Sequence, residues 1–87
     1  MKKILRANVD TAGGVITSGS PNVFINGEPV VRIGDLVAYH GNSPHNNAVM
    51  IEGSSNVFVN NIAVCREGDH ASCGHIGVSI QQINVGN

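Results

Sequence analysis

The sequence predicts a small all-β domain made of short strands and hairpins, and three observations lead to this prediction. Glycine and asparagine each account for 11 of the 87 residues, and both tolerate a positive φ while propagating a helix poorly. No segment shows the 3.6-residue apolar period of an amphipathic helix. A 26-residue segment occurs twice, and each copy carries the pattern of a β-hairpin.

The repeated segment is the clearest feature of the chain. Residues 16–41 align with residues 50–75 at a constant shift of 34, and ten of the 26 paired residues are identical. Such a match indicates a duplicated structural unit. Asn26-Gly27 separates two apolar runs in the first copy, and Asn60-Asn61 takes its place in the second. A type I′ turn needs φ > 0 at both central residues, so each copy is predicted to form a hairpin.

Further turns and strands flank the hairpins. Each hairpin is followed by a Gly-Asp pair, in which Gly permits a sharp reversal and Asp can bond its own backbone. These pairs are Gly34-Asp35 and Gly68-Asp69. Short strands are expected before the hairpins, over residues 15–17 and 49–51. The final segment, residues 75–87, is predicted to add one or two strands as the remnant of a third unit.

Two pairs of equivalent side chains suggest how the units are stabilised. Phe24 and Phe58 are predicted to be core residues, each contributing about 1.5–3 kcal/mol by burial. Arg32 and Arg66 are expected either to reach a partner or to form solvated salt bridges worth less than about 1 kcal/mol. Their candidate partners within the chain are the acidic residues of the following turns, Asp35, Glu67 and Asp69.

Charge and hydropathy exclude several classes of function. The net charge is −1 with only five Lys and Arg residues, so no basic stripe is available for nucleic acid or an anionic membrane surface. No run of about 18 apolar residues could form a spanning helix. The start, MKKILRANVD, lacks the apolar segment of a secretory signal, so we expect no signal peptide and a cytoplasmic location. In that reducing setting Cys65 and Cys73 are expected to be thiols.

The doubled segment GSPNVFINGEPVVRIGD, with SCG after the second Gly-Asp, resembles the PAAR-repeat proteins, which cap the spikes of type VI secretion systems and contractile phage tails. The name-giving Pro-Ala-Ala-Arg tetrad falls on residues 29–32 and, degenerate, on residues 63–66. The resemblance implies a conical fold with pseudo-three-fold character, whose base plugs a trimeric β-helical spike protein of the VgrG or phage-tail type. It also implies a zinc ion held near the vertex by histidines and a cysteine.

One departure from the family concerns the first segment. Family members commonly begin with a segment resembling GDxTSHGG, which carries a histidine. This chain has Asp10-Thr11-Ala12-Gly13-Gly14 there, and no histidine precedes position 40. The usual first-segment ligand is therefore missing.

The remaining candidates for metal ligands lie between positions 40 and 75. We expect a structural Zn²⁺ ion, because tetrahedral zinc sites use His and Cys side chains that converge from different loops. The candidate ligands are His40, His45, Cys73 and His75. Alternatives are that His70 displaces His45 or His75, or that the four residues are exposed and bind no metal. Cys65, inside the second tetrad, is expected to be a small buried residue.

Together these observations predict a single domain over residues 1–87 with a structural and not an enzymatic function. As the resemblance implies, the protein would be a zinc-stabilised spike tip that contacts a target membrane transiently during piercing. One alternative is an adaptor that tethers effector proteins to the spike. A small zinc hydrolase is a further alternative, but it would need an open metal position and a general base.

Overall fold

A computed structural model describes residues 2–80 and 83–85 of the chain. Within this part of the chain the secondary structure consists of turns, isolated bridges and eight two-residue strands, with no helix. The strands are β1 (Lys2–Lys3), β2 (Thr11–Ala12), β3 (Gly14–Val15), β4 (Phe24–Ile25), β5 (Glu28–Pro29), β6 (Phe58–Val59), β7 (Ile62–Ala63) and β8 (Asn84–Val85). The all-β prediction is confirmed, and no described helix is long and apolar enough to cross a membrane.

The two predicted hairpins form with the predicted turns. Strand β4 pairs antiparallel with β5, and β6 pairs antiparallel with β7. Asn26 and Gly27 have φ values of 51° and 86°, and Asn60 and Asn61 have values of 54° and 64°. Both central residues of each turn therefore lie in the left-handed region that a type I′ turn requires. The predicted strands around residues 15–17 and 49–51 are shorter than expected, since they consist of β3 and isolated bridges.

A third strand pair, equivalent to the two hairpins but without a connecting turn, is built from the two ends of the chain. Strand β1 pairs antiparallel with β8, in the same two-residue register as the two hairpins. The backbone N–H of Ile4 donates to Ile83, as Val30 donates to Val23 and Val64 to Val57. The predicted remnant of a third unit at the C-terminus is therefore only half of that unit. The other half is the N-terminal segment, in which residues 3–6 match residues 29–32 and 63–66.

The three units meet in a closed ring of backbone hydrogen bonds. Leu5 donates to the carbonyl of Cys65, Cys65 donates to Val31, and Val31 donates to Leu5, at N···O distances of 3.1, 2.9 and 3.0 Å. All three residues are completely buried. Around the ring the bridges Arg6↔Val30, Arg32↔Val64 and Ile4↔Arg66 repeat the same relation. This ring defines the pseudo-three-fold axis of the fold.

Two apolar clusters lie between the hairpins and the loops that contain the histidines. The smaller consists of Ile4, Val30 and Val64, and hairpin residues pack against it. The larger contains the ring residues, and Cys73 packs against it from outside. The hairpins thus lie at one end and the histidine-rich loops at the other, along a molecule of 33 × 24 × 23 Å.

The prediction that the two phenylalanines are core residues is wrong. Phe24 and Phe58 are 53% and 55% exposed. Each alternates along its strand with a residue that packs on the smaller cluster, Ile25 beside Phe24 and both Val57 and Val59 beside Phe58. Because successive side chains of a strand point to opposite faces, the inward residues exclude the phenylalanines from the core.

Each unit contains a buried aspartate that closes the turn after the arginine. Asp35 and Asp69 accept the backbone N–H of Arg32 and Arg66 at 2.6 and 2.7 Å, and they also accept the guanidinium Nε. The side chains of both ion pairs are at most 15% exposed, so the expectation of solvated bridges is wrong. The third unit repeats only the first of these bonds.

In that third unit Asp10 accepts the backbone N–H of Arg6 at 2.8 Å. The guanidinium of Arg6 instead donates to the carbonyl of Ile25 at 3.2 Å, and its Nε is buried without a hydrogen-bond partner among the described residues. The turn from Arg6 to Asp10 is one residue longer than its counterparts, and Asn8, with φ of 73°, takes the place of the turn glycine.

Candidate metal centre

Two loops at the end opposite the hairpins carry the predicted ligands. His40 and His45 lie at either side of a tight loop that is closed by two backbone bonds, from His40 N to His45 O and from His45 N to Asn42 O. Gly41, with φ of 150°, allows the reversal inside this loop. Cys73 and His75 flank Gly74 in a second turn, in which Ala71 donates to His75.

The structure brings all four predicted residues together. Their ligand atoms lie within 4.8 Å of one another, so the group can hold a metal ion. The three imidazole rings form a nearly equilateral triangle, with centroid distances of 5.0, 5.2 and 5.0 Å. The Nε2 atom of His40 lies 3.2 Å from Nδ1 of His45 and 3.5 Å from Sγ of Cys73.

Burial and hydrogen bonding orient these side chains. His40, His45 and Cys73 are partly buried, and His75 is exposed. Nδ1 of His40 lies 2.8 Å from the carbonyl oxygen of Ala38. Since a carbonyl only accepts, Nδ1 must carry the proton, and the lone pair of Nε2 then faces the other ligands. Metal-binding histidines are commonly held in this way by a carbonyl on the second ring nitrogen.

The third unit approaches the same cluster with backbone only. Gly13 lies in the turn between β2 and β3, and it is adjacent to the rings of His40 and His75. Gly14 lies against the carbonyl of Ala38. No histidine precedes position 40 in the sequence, so this segment offers no imidazole ligand.

His70 lies outside the cluster. It is exposed, and both its backbone N–H and its Nδ1 bond Oε1 of Glu52, at 2.8 and 2.6 Å. The side-chain hydrogen bond from His70 lowers the pKa of Glu52. The alternative in which His70 displaces His45 or His75 therefore finds no support in the geometry.

Cys65 is also separate from the cluster. It is a completely buried free thiol in the backbone ring, and Cys73 is likewise free. Burial raises the pKa of Cys65 to about 12, with smaller contributions from Asp69 and Asp35. A thiol kept protonated in this way is inert as a metal ligand and as a nucleophile.

Sequence reasoning missed Gly13 and the N-terminal unit that contains it. The sequence does contain a signal for this unit. KILRANVD, PVVRIGD and AVCREGD each contain two apolar residues followed by Arg and, three or four residues after the Arg, by Asp. The extra residue before Asp10 breaks the constant spacing, and the partner strand lies at the other end of the chain. A search at a single shift does not detect such a copy.

Comparison with known families supplies the context for this geometry. No curated protein matches the chain. The PAAR motif family matches it over residues 7–76, a range that includes Asp10, Asp35, Asp69 and all four candidate ligands. PAAR proteins are structural spike-tip proteins of contractile injection systems and not enzymes. With 70 of its 87 residues matched, the chain belongs to the PAAR motif family.

Proposed function

We propose that this protein is a zinc-stabilised tip that closes the blunt end of a trimeric β-helical spike and travels with it through a target membrane. The observation that carries the proposal is the polarity of the molecule. A cluster of four candidate ligands lies at one end, and two hairpins with a matching pair of terminal strands lie at the other. Before assembly the protein would reside in the cytoplasm of a bacterium or of an infected cell.

The spacing of the ligand atoms supports zinc. In a tetrahedral site with Zn–N bonds of about 2.0–2.1 Å and a Zn–S bond of about 2.3 Å, two nitrogens lie roughly 3.3 Å apart, and a nitrogen and a sulfur roughly 3.5 Å apart. The observed separations from His40 Nε2 are 3.2 Å to His45 and 3.5 Å to Cys73. Three imidazoles and one thiolate are also a donor set that zinc prefers.

A bound zinc ion would act structurally. The proposed ligands His40, His45, Cys73 and His75 fill a tetrahedral site, so no position remains for the water that a hydrolytic zinc site activates. The ion would instead connect the loop after the first Gly-Asp turn to the loop after the second. A fixed vertex suits a part that is loaded mechanically, and it adds stability to a chain whose single core is small.

The hairpin end supports the trimeric partner. Val23, Val57 and Ile83 occupy equivalent positions in the three units, because each accepts the same backbone bond from the small apolar cluster. Val23 and Ile83 are 37% and 40% exposed, and Phe24 and Phe58 lie beside them with over half of their surface accessible. This apolar surface, in which the third unit carries Asn84 at the position of the two phenylalanines, fits the end of a three-fold symmetric protein.

The zinc site is tested by metal analysis. We expect purified protein to carry one Zn²⁺ ion per chain by native mass spectrometry, and Cys73→Ser to carry none after dialysis. His70→Ala is the matched control, because His70 lies outside the cluster, and it should retain the metal. Wild-type protein that binds no zinc at micromolar concentration would contradict the proposed site.

The spike interaction is tested with a purified trimeric spike protein of the VgrG type. One tip chain should bind one trimer, and Phe24→Ala and Phe58→Ala should weaken binding by similar factors, because the residues are equivalent. Tyr39→Ala is the control, since Tyr39 is 70% exposed but precedes the metal loop. The proposal fails if wild-type tip and trimer do not co-elute, or if only the control variant weakens binding.

A second role as an adaptor for effectors is favoured by the flank of the molecule. Leu36 and Ile51 are 55% and 52% exposed, and Val78 is 48% exposed. They lie on the ladders between the hairpins and the loops with the candidate ligands: Leu36 bridges Val49, Ile51 donates its backbone N–H to His70, and Val78 bridges Thr11. Noncovalent cargo would bind to this apolar surface without blocking the spike-binding end. Binding of an effector that survives Phe24→Ala but is lost in Leu36→Ser would establish this role.

A further inference from the structure

The Gly13-Gly14 pair is the feature of the chain that the proposed function leaves unused. Gly13 has φ of 89°, which already favours glycine. Its surroundings are more restrictive still. A Cβ atom on Gly13 would overlap Cδ2 of His75, and it would lie 2.7 Å from both Cγ of His75 and Nε2 of His40. The space that a side chain would need is filled by two candidate ligands.

Gly14, the next residue, also lies close to His40. A Cβ atom on Gly14 would lie 2.6 Å from the carbonyl oxygen of Ala38 and 3.0 Å from Nδ1 of His40. This is the carbonyl that fixes the orientation of His40. The glycine pair therefore contacts the ligating side of His40 through Gly13 and the orienting side through Gly14.

Four other turn glycines show a different pattern, and a Cβ on Gly41 would make only an ordinary contact of 3.4 Å with His45. Gly27, Gly34, Gly68 and Gly74 also have positive φ, between 86° and 95°, yet a Cβ on any of them would meet nothing within 4 Å. These glycines are needed only for backbone conformation. Gly13 is needed for conformation and for the room that it leaves.

We propose that Gly13 is a positioning residue of the metal centre, because the absence of a side chain there leaves room for the rings of His40 and His75. Each of the two repeat loops then contributes two ligands, and the third unit contributes the space in which the rings of His40 and His75 converge. With any larger residue at position 13, a ring would have to swing out, and exposed His75 is the one that can do so. The inference rests on the proposed metal site.

The test compares two alanine variants that carry the same backbone strain. Gly13→Ala and Gly68→Ala replace glycines with φ of 89° and 90°, but only the first intrudes on the ligands. Zn²⁺ affinity is measured by competition with a chromophoric chelator. Loss of a residue that orients a ligand typically costs about 10–100-fold in affinity. We expect Gly13→Ala to lose about 10–100-fold in Zn²⁺ affinity. Gly68→Ala should lose less than about threefold, which is clearly below that range.

Cobalt substitution supplies a readout that general destabilisation would not change. Wild-type and Gly68→Ala proteins saturated with Co²⁺ should give the same visible spectrum of a tetrahedral, sulfur-ligated ion. Gly13→Ala should give a weaker or shifted spectrum at saturation, because one ring has left the site. Identical spectra and affinities for the two variants would overturn the inference, while leaving the metal site itself intact.

A second background covers the case in which Gly13→Ala does not fold alone. In a His75→Ala background the main overlap is gone, so the double variant Gly13→Ala/His75→Ala should fold and bind zinc within about threefold of His75→Ala alone, well below the 10–100-fold loss expected in wild type. A double variant that fails to fold, or that loses about 10-fold or more in affinity relative to His75→Ala, would show that Gly13 does not act through His75. Failure of the wild type to bind Zn²⁺ or Co²⁺ would instead reject the proposed site, so the two failures are distinguishable.

Discussion

The middle of the molecule and the end that carries the candidate metal centre differ in symmetry. In the middle, Leu5, Val31 and Cys65 repeat one backbone bond three times around an axis. At the far end the symmetry is lost, because two loops bring two candidate ligands each and the third unit brings a glycine. A tetrahedral ion needs four ligands, and three equivalent units supply three or six. We infer that the pseudo-three-fold symmetry of the fold cannot extend to a four-ligand metal centre.

The two regions also differ in what stabilises them. The middle depends on apolar burial and on backbone bonds, with ten fully or nearly fully buried residues in its main cluster. The end with the candidate ligands has partly exposed side chains whose ligand atoms approach to 3.2 and 3.5 Å, and under the proposed function a bound cation would hold them there. Conditions that remove the cation should therefore affect the second region first.

Metal removal is expected to have the largest effect. Structural zinc contributes an apparent ~10–16 kcal/mol in small peptides that have no other core. Here the buried middle remains, so we expect a loss of several kcal/mol, with strand signals retained. Thermal unfolding followed by circular dichroism, with and without a chelator, measures the change.

The matched variants for this experiment are the two cysteines. Cys73→Ser should unfold like the chelated wild type and should not respond further to the chelator. Cys65→Ala should lose some stability through a small cavity, yet still respond fully to the chelator. A wild type whose unfolding temperature is unaffected by metal removal would show that the two regions are not distinct in this way.

The arginine–aspartate turns test the limits of the three-fold symmetry in the middle. Arg66 bonds Asp69 at 2.9 and 3.0 Å, and these bonds raise the pKa of Arg66. Removing one member of a buried ion pair costs about 3 kcal/mol or more, because it leaves the other charge uncompensated. We expect such a loss for Arg66→Met and a smaller one for Arg32→Met, whose bonds are 3.4 and 3.5 Å.

Arg6→Met completes this series and should cost least. The guanidinium of Arg6 makes no hydrogen bond to Asp10, and its buried Nε has no partner, so replacement by an apolar side chain removes an unsatisfied group. Denaturant unfolding of the three variants gives the order directly. Equal losses at the three positions would mean that the third unit is symmetric in solution.

The sequence predicts those features of the fold that are determined by residues close together in the chain, and it does not predict those that depend on distant segments. The hairpins and their turns could be predicted because Asn-Gly and Asn-Asn act within four residues, and the ligand loops because His and Cys are distinctive. The third unit could not be found at a fixed shift, since its strands lie 80 residues apart. The exposure of Phe24 and Phe58 depends on which face of each strand meets the small cluster, and the sequence of two apolar neighbours does not decide that.

Alkaline pH should reveal a weakness of the middle that the metal-binding end does not share. Burial raises the pKa of Cys65 from 9.0 to about 12. The stability that depends on the neutral thiol is therefore fully present below pH 9 and is lost as the pH rises towards 12. We expect a loss of about 1 kcal/mol for each pH unit above 9 in metal-loaded wild type.

The control variant for this loss of stability is Cys65→Val. Valine is already present at the equivalent position of the backbone ring, Val31. The variant has no thiol to ionise, so the part of the alkaline loss that is specific to wild type should disappear. Chemical denaturation at pH 8 and at pH 10.5 measures the difference. Parallel losses in both proteins would assign the alkaline instability to other groups.

The smallest expected effect concerns the two hairpin turns, which differ in one residue. Gly27 and Asn61 occupy the same turn position with φ of 86° and 64°, and glycine adopts such values without a steric cost. Asn61→Gly should therefore stabilise the protein by a few tenths of a kcal/mol, since part of the gain is offset by the greater freedom of glycine in the unfolded chain. The reciprocal change, Gly27→Asn, should destabilise by a similar amount.

Both changes in stability are measurable by denaturant unfolding of the metal-loaded protein. Neither variant should alter zinc affinity, because the turns lie at the end opposite the ligands. A change in zinc affinity in either variant would show that the hairpin end and the metal centre are coupled through the three-fold middle.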